Sequence, residues 1–149
     1  MSDPAVVVIR VALALVFGAL IGIDRERRQK TAGMKTMTLV SIGAAGFAIM
    51  TNTFGPSNHN PAQLAAAVVG GIGFIGAGVI LRRGEMVEGV TTAATLWAAS
   101  SVGVASGLGY YTIATVLTVA ILLVQIVFPL FEKLIRPARR SAAPEVENP

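Results

Sequence analysis

The sequence contains no cysteine and only one histidine, His59, and just 13% of its 149 residues are charged. The missing thiols exclude disulfides, thiolate metal sites and thiol catalysis, and a single histidine excludes histidine-cluster metal sites and most catalytic triads. Soluble domains carry about 25% charged residues, so this chain cannot cover a surface that faces water. Its hydrophobic fraction is 54% and its mean hydropathy is +0.70. Hydrocarbon must therefore be the solvent for much of the chain.

Five apolar runs follow one another along the sequence, at residues 5–23, 37–54, 62–81, 90–108 and 110–131. Each is close to the roughly 20 residues that a helix needs to cross the hydrocarbon layer. We therefore predict an all-α membrane protein, with a bundle of about five transmembrane helices over residues 1–135. Residues 136–149 are rich in Ala, Pro and Glu and are expected to form a disordered cytoplasmic tail.

The basic residues are distributed unevenly between the two sides of this five-helix arrangement. Eleven of the twelve Lys and Arg residues fall in the loop after the first run, the loop after the third run and the C-terminal tail. The positive-inside rule therefore predicts an N-terminus outside and a C-terminus in the cytoplasm. The same placement indicates contact with anionic lipid headgroups and not with nucleic acid.

Small residues recur at helical spacing in three of the runs. They are Ala14, Gly18 and Gly22 in the first, Ala66, Gly70, Gly73 and Ala77 in the third, and Thr91, Thr95, Ala99, Gly103 and Gly107 in the fourth. Because helices in lipid associate through close backbone approach, these faces predict a tight trio with the fourth helix inside. The second and fifth helices are expected to meet more lipid, and Gly73→Leu is expected to overpack a helix contact.

Residues 71–76 match the dinucleotide pattern G-x-G-x-x-G, but no strand precedes them and they lie inside an apolar run. Helix packing is the better interpretation of these glycines. The apolar runs also lack a Walker lysine, a nucleophile elbow and a carboxylate pair. We therefore expect no enzyme activity and no cofactor, and we assign no metal site.

The candidate functional residues are the few polar groups in or beside the runs: Arg10, Asp24, Arg25, Glu26, Lys35, Arg82, Glu85, Thr91, Thr92, Thr95 and Trp97. Asp24 with Arg28 and Glu26 with Lys30 have the i,i+4 spacing of helix ion pairs. The loop that holds them forms either a solvated, lipid-binding segment or a cytoplasmic site with Arg82, Arg83, Glu85 and Glu88.

Two further expectations concern single side chains within the runs. Arg10 shares the register of Ala14, Gly18 and Gly22, so it either snorkels to the interface or points inward to carbonyls or hydroxyls of the fourth helix. Trp97 lies in the middle of its run, where core packing is the expected role.

Four segments resemble the MgtC/SapB family of bacterial inner-membrane proteins. They are residues 18–26 (GALIGIDRE), 32–36 (AGMKT), 71–80 (GIGFIGAGVI) and 89–97 (GVTTAATLW). The resemblance runs in order from about residue 10 to residue 110. Asp24 and Lys35 depart from it conservatively, since the family often has Glu and Arg there. Better-known members append a soluble ACT-like domain after the membrane part, and we expect only the membrane domain here.

The resemblance implies a multi-pass inner-membrane protein with a role in adaptation to low magnesium, ion homeostasis and, in pathogens, virulence. It allows two hypotheses. One is a non-enzymatic regulator of a membrane complex, such as ATP synthase. The other is a transporter or channel for Mg²⁺ or another cation, formed by one chain or by a homo-oligomer. The apolar runs contain no Asp, Glu or His, and transport sites usually have ionisable residues inside the membrane. The regulator is therefore favoured.

Overall fold

The computed structural model describes residues 3–54, 61–83 and 86–135. Within these residues the chain forms five helices and one short strand pair, which confirms the predicted all-α bundle. In chain order the elements are α1 (Pro4–Arg27), α2 (Met34–Phe54), α3 (Pro61–Val79), β1 (Leu81–Arg83), β2 (Met86–Glu88), α4 (Val90–Leu108) and α5 (Tyr111–Ile135). The tail predicted to be disordered, residues 136–149, lies outside the described residues, as does Glu85.

Local signals in the sequence explain where α1 begins and ends. Asp3 caps the helix, because its carboxylate accepts a hydrogen bond of 3.0 Å from the N–H of Ala5. Pro4 occupies the first helical position, where an N–H would have no partner within the helix, so proline loses no hydrogen bond. The helix ends before Gln29, which adopts a left-handed φ of 52°. The chain then turns back, and α2 packs against α1.

A short antiparallel pair, β1 and β2, connects α3 to α4, with Arg82 opposite Val87. This connection was predicted from the sequence to be a loop without strands. Gly89 follows β2 at a left-handed φ of 88° and is the N-cap of α4. A Cβ atom at this position would collide with the backbone carbonyl of Val79, so both the conformation and the space require glycine.

The centre of the bundle is α4, which contacts each of the other four helices. Ten of its nineteen residues are buried. Several of its hydroxyl groups donate within the helix, since Ser106 Oγ donates to the carbonyl of Val102 at 2.8 Å and Ser100 Oγ to that of Trp97 at 2.7 Å. The polar composition of this run is therefore compatible with its burial, and the predicted interior position of α4 is confirmed.

The tightest contacts place α2 between α1 and α4. A Cβ atom built on Gly103 would lie 2.9 Å from Ala44 Cβ, and one built on Gly107 would lie 2.7 Å from Ala48 Cβ. On the other side, a Cβ atom at Gly18 would lie 2.8 Å from the α2 backbone. The expectation that α2 mainly meets lipid was wrong. Alanines of α2 receive the glycines of α4, whereas Gly18 of α1 packs against Thr38 and Ser41.

The predicted contact face of α3 does not pack within the chain. Its members, Ala66, Gly70, Gly73 and Ala77, are all exposed, and Cβ atoms built at Gly70 and Gly73 would meet nothing within 4 Å. Instead α3 packs on α4 through a neighbouring face, where Ile72 and Gly76 are buried. The predicted trio was therefore wrong in assigning this face to an internal contact, because residue spacing identifies a face but not the direction in which it points.

In the part of the chain that the structure describes, three helices are long and apolar enough to cross a membrane: Pro4–Arg27, Met34–Thr51 and Tyr111–Glu132. The apolar stretch of α3 is shorter, at Ala66–Val79, and α4 is one continuous helix enclosed by the others. Most large apolar side chains of α5 are exposed, in line with a helix that meets lipid. The orientation of the bundle remains a prediction.

Candidate functional site

Arg25 forms a buried polar cluster between the end of α1 and the start of α4. Its side chain is only 4% exposed. Nη1 donates to Thr95 Oγ1 at 3.1 Å, Nη2 donates to Thr92 Oγ1 at 2.5 Å, and Nε donates to the carbonyl of Ala32 at 3.1 Å. Thr95 Oγ1 passes its own hydrogen to the carbonyl of Thr91 at 2.7 Å. Arg25 and the three threonines were predicted separately as functional candidates, and the structure brings them together in one cluster.

The positive charge of Arg25 is not paired with a carboxylate among the described residues. Asp24, its sequence neighbour, instead binds Arg28, with Nε at 2.8 Å and 2.9 Å from the two carboxylate oxygens. The groups that compensate Arg25 are neutral oxygens and the C-terminal end of α1, which carries the partial negative charge of the helix dipole. A buried cation without an anionic partner is unusual and calls for an explanation.

Arg10 occupies the corresponding position at the other end of α4. Its Nη1 donates to the carbonyl of Gly107 at 2.9 Å, in the last turn of the helix, where carbonyls lack intrahelical partners. This contact confirms that Arg10 points inward to the fourth helix. Gly109, the C-cap of α4, has a φ of 87°, and a Cβ atom there would lie 2.9 Å from Arg10 Nη2. Arg10 therefore caps the C-terminal end of α4, and a side chain at position 109 would obstruct its guanidinium group.

The two predicted ion pairs of the first loop have different outcomes. Asp24 and Arg28 form theirs. Glu26 does not pair with Lys30, because its Oε2 accepts a hydrogen bond of 2.9 Å from the N–H of Met34, the first residue of α2. Glu26 is thus an N-terminal cap for α2, a role that the sequence spacing could not reveal. Lys35, one residue further, is exposed.

The remaining candidates do not join the Arg25 cluster as side chains. Arg82 is exposed on β1, and the side chain of Thr91 is exposed. Trp97 is 52% exposed, so the expectation of core packing was wrong: it stands on the side of α4 that borders a groove. Among the described residues, no three His, Cys, Asp or Glu side chains are grouped closely enough to hold a metal ion.

That groove runs between the end of α1, α4 and α5 and has a volume of about 1110 Å³. Arg25, Thr95 and Gln125 line it. The side-chain amide of Gln125 is buried, and neither its oxygen nor its nitrogen has a hydrogen-bond partner. Gln125 was not among the predicted functional residues, although a lone amide in the middle of a strongly apolar run is a signal that could have identified it.

A second, more apolar groove separates α2 from α3 and has a volume of about 580 Å³. Gly43, Phe47, Gly71 and Ile75 are among the residues that line it. Few residues of α2 and α3 touch each other, so α3 is held in the bundle mainly by α4. The α3 side of the molecule is therefore open, in contrast to the closed packing of α1, α2 and α4.

The fold and its exposed apolar surface define a helix-bundle membrane protein. The sequence pattern of the MgtC family matches residues 11–134, and the chain belongs to the MgtC family, as the resemblance implied. It is 45% identical over 115 residues to Protein MgtC of Salmonella typhimurium strain 14028s, covering 77% of this chain and 49% of the relative.

A second relative, Protein MgtC of Brucella abortus strain 2308, is 42% identical over 131 residues, which cover 87% of this chain and 55% of the relative. The chain thus spans about half the length of the curated relatives it matches. No solved structure matches it.

Proposed function

We propose that this chain is a non-enzymatic regulator in the bacterial inner membrane, which supports adaptation to low magnesium by packing against a helix of a partner membrane complex. The observation that carries the proposal is the uncovered surface of α3, here called the α3 face (Ala66, Gly70, Gly73 and Ala77). Small-residue surfaces are how helices approach one another closely in lipid. The equivalent surface of α4 is filled by α2, whereas the α3 face is exposed.

The charges of the bundle favour a regulator over a magnesium transporter. Magnesium is bound in proteins mainly by carboxylates and gives up its waters reluctantly. Two acidic side chains at the end of α1 are already engaged, because Asp24 binds Arg28 and Glu26 caps α2. Arg10 and Arg25 both donate hydrogen bonds to α4, and positive charge opposes the passage of cations.

The partner is proposed to be a membrane complex, with ATP synthase as the candidate that the family resemblance implies. A second copy of this chain is the competing occupant of the α3 face. We further propose the inner-membrane orientation that the basic residues predict, with the C-terminus in the cytoplasm. A reporter fused after Pro149 should be active only in the cytoplasm, and a cysteine introduced at Ser57 should be labelled from outside. Protection of position 57 would contradict this orientation.

Gly73→Leu tests the proposed partner contact directly. Since a side chain at position 73 meets nothing within 4 Å, the variant should fold normally but fill the space that a partner helix needs. We expect it to lose complementation of growth in low magnesium, in a strain that lacks its own copy of the gene. Gly78→Leu is the matched control, because Gly78 is equally open but lies about 140° around α3 from Gly73 at 100° per residue.

The regulator hypothesis predicts loss of complementation for Gly73→Leu and full complementation for Gly78→Leu, at equal thermal stability in detergent. Wild-type complementation by Gly73→Leu would contradict it. Liposomes that contain only the purified chain provide an independent measurement. We expect no Mg²⁺ flux above that of protein-free liposomes, and a clear flux would replace the regulator with the transporter hypothesis.

A further inference from the structure

The groove between the end of α1, α4 and α5 has a cationic end at Arg25. A guanidinium group has five N–H donors, and Arg25 uses three of them on Ala32, Thr92 and Thr95. Two donors are therefore left at a side chain that lines the groove and forms no salt bridge among the described residues. A planar fork of this kind matches the oxygens of a phosphate group.

Gln125 adds a second, independent sign that something polar occupies this groove. Both atoms of its amide are buried without a hydrogen-bond partner, and native structures rarely leave such groups unsatisfied. Pro129, inside α5, lacks the N–H that would bond the backbone carbonyl of Gln125 four residues earlier. Position 125 therefore presents one donor group and two acceptors that α5 itself does not satisfy.

Further along α5 the groove becomes apolar. Gln125 lies seven residues from Glu132 at the mouth, or about 10 Å at 1.5 Å per residue. Leu117 lies about 12 Å deeper again, and Leu117, Ile121 and Val124 all line the groove. The order from mouth to depth is thus charge, then amide, then hydrocarbon. A membrane phospholipid has the same order: phosphate, then ester carbonyls, then acyl chains.

The rim of the groove carries charges of both signs. Asp24 and Arg28 neutralise each other, and Lys30 is accompanied by Glu88 and Glu132. The rim therefore has no excess positive charge that would draw in anionic headgroups from a distance. Affinity for a phosphate must come from direct contact with Arg25, and it should depend little on any further negative charge on the headgroup.

We propose that this groove binds one membrane phospholipid, with its phosphodiester at the Arg25 guanidinium and its ester region at the amide of Gln125. The acyl chains lie along Leu117 and Ile121. This site shares no lining residue with the groove between α2 and α3. The lipid-binding proposal does not depend on the proposed partner contact of the α3 face, so either can be contradicted without the other.

The test uses the full chain, purified in detergent and stripped of lipid. Short-chain phosphatidylethanolamine and phosphatidylglycerol are titrated separately, with the thermal unfolding midpoint as the readout and native mass spectrometry to count bound lipids. We expect one lipid per chain and similar affinities for both headgroups. The affinities should change little between low and high salt, because the contact is buried. Inorganic phosphate at the same concentrations should not raise the midpoint.

Gln125→Leu is the decisive variant, since Arg25 also supports the fold. Losing one hydrogen bond to the lipid should weaken its affinity about tenfold, a difference of about 1.4 kcal/mol. The lipid-free variant should be at least as stable as the wild type, because an unpaired buried amide has been removed. Gln63→Leu, the same substitution at an exposed position of α3, should leave lipid affinity unchanged.

Three outcomes would overturn the proposal. The first is an unchanged lipid affinity of Gln125→Leu. The second is binding of phosphatidylglycerol alone that disappears at high salt, which would place the lipid on the basic loops. The third is a rise in the midpoint with inorganic phosphate equal to that with lipid, which would make the groove a site for free phosphate.

Discussion

The small-residue faces of α3 and α4 both contain glycine and alanine at helical spacing, but their surroundings are opposite. On α4, Gly103 and Gly107 press against the backbone and alanines of α2. On α3, Gly70 and Gly73 meet nothing within 4 Å. The comparison shows that a run of small residues at helical spacing marks a surface suited to close helix contact. It does not show whether the contact is made within the chain or left for another molecule.

Gly103→Ala should have the largest effect on stability, because it introduces an atom where α2 leaves no space. The new Cβ would collide with the backbone carbonyl of Ser41, which cannot move aside as a side chain could. Overpacking typically costs about 1–3 kcal/mol, and a clash with backbone should reach or exceed the upper end. Thermal unfolding in detergent measures it, and a wild-type midpoint would mean that α2 and α4 are further apart than described.

Arg25→Leu should have the second-largest effect on stability, because Arg25 lies at the polar end of the closely packed region formed by α1, α2 and α4. It removes three hydrogen bonds from a charged donor and leaves the buried carbonyl of Ala32 and two threonine hydroxyls with fewer partners. Three hydrogen bonds to a charged group would contribute about 4.5–9 kcal/mol at about 1.5–3 kcal/mol each. Because the variant also removes the desolvation cost of a buried cation, we expect a net loss of about 3 kcal/mol. The free energy of unfolding in detergent and denaturant checks this value.

Arg10→Leu is the matched control for Arg25, since it removes the other arginine that α1 extends to α4. Arg10 makes one hydrogen bond, to Gly107, and is only half-buried. The cost should therefore be smaller, about 1 kcal/mol for one bond and the helix-end charge interaction. An equal loss for the two variants would contradict the distinction between a buried cluster and a helix cap.

Gly73→Leu should have the smallest effect, close to zero, because the α3 face is open. This reverses the sequence-based expectation that leucine at this position would overpack the bundle. The unfolding midpoint of Gly73→Leu, measured beside that of Gly103→Ala, gives the sharpest test of the contrast between the two faces. A destabilised Gly73→Leu variant that remains monomeric would show that α3 packs more closely than described.

Individual residues show why parts of the site could be predicted and others could not. The register of Arg10 with Ala14 and Gly18 predicted its inward direction, because residues four apart share one helix face. Glu26 was assigned to Lys30 by the same rule, but α1 ends before Lys30 and the carboxylate caps α2 instead. Local spacing is reliable only while the helix continues, and the position of its last turn depends on the packing of the next helix.

The sequence by itself determined that this is a helical membrane protein of the MgtC family, since hydropathy, run length and family motifs are properties of the linear chain. It also determined which surfaces were available for close contact. The tertiary structure alone decided that α2 packs against the small-residue surface of α4 and that Arg25 binds Thr92 and Thr95. It also decided that Gln125 lines a groove, where its side-chain amide has no hydrogen-bond partner. The physical reason is that these contacts depend on how each helix is rotated about its axis, and in lipid that rotation is set by the packing of all the helices together.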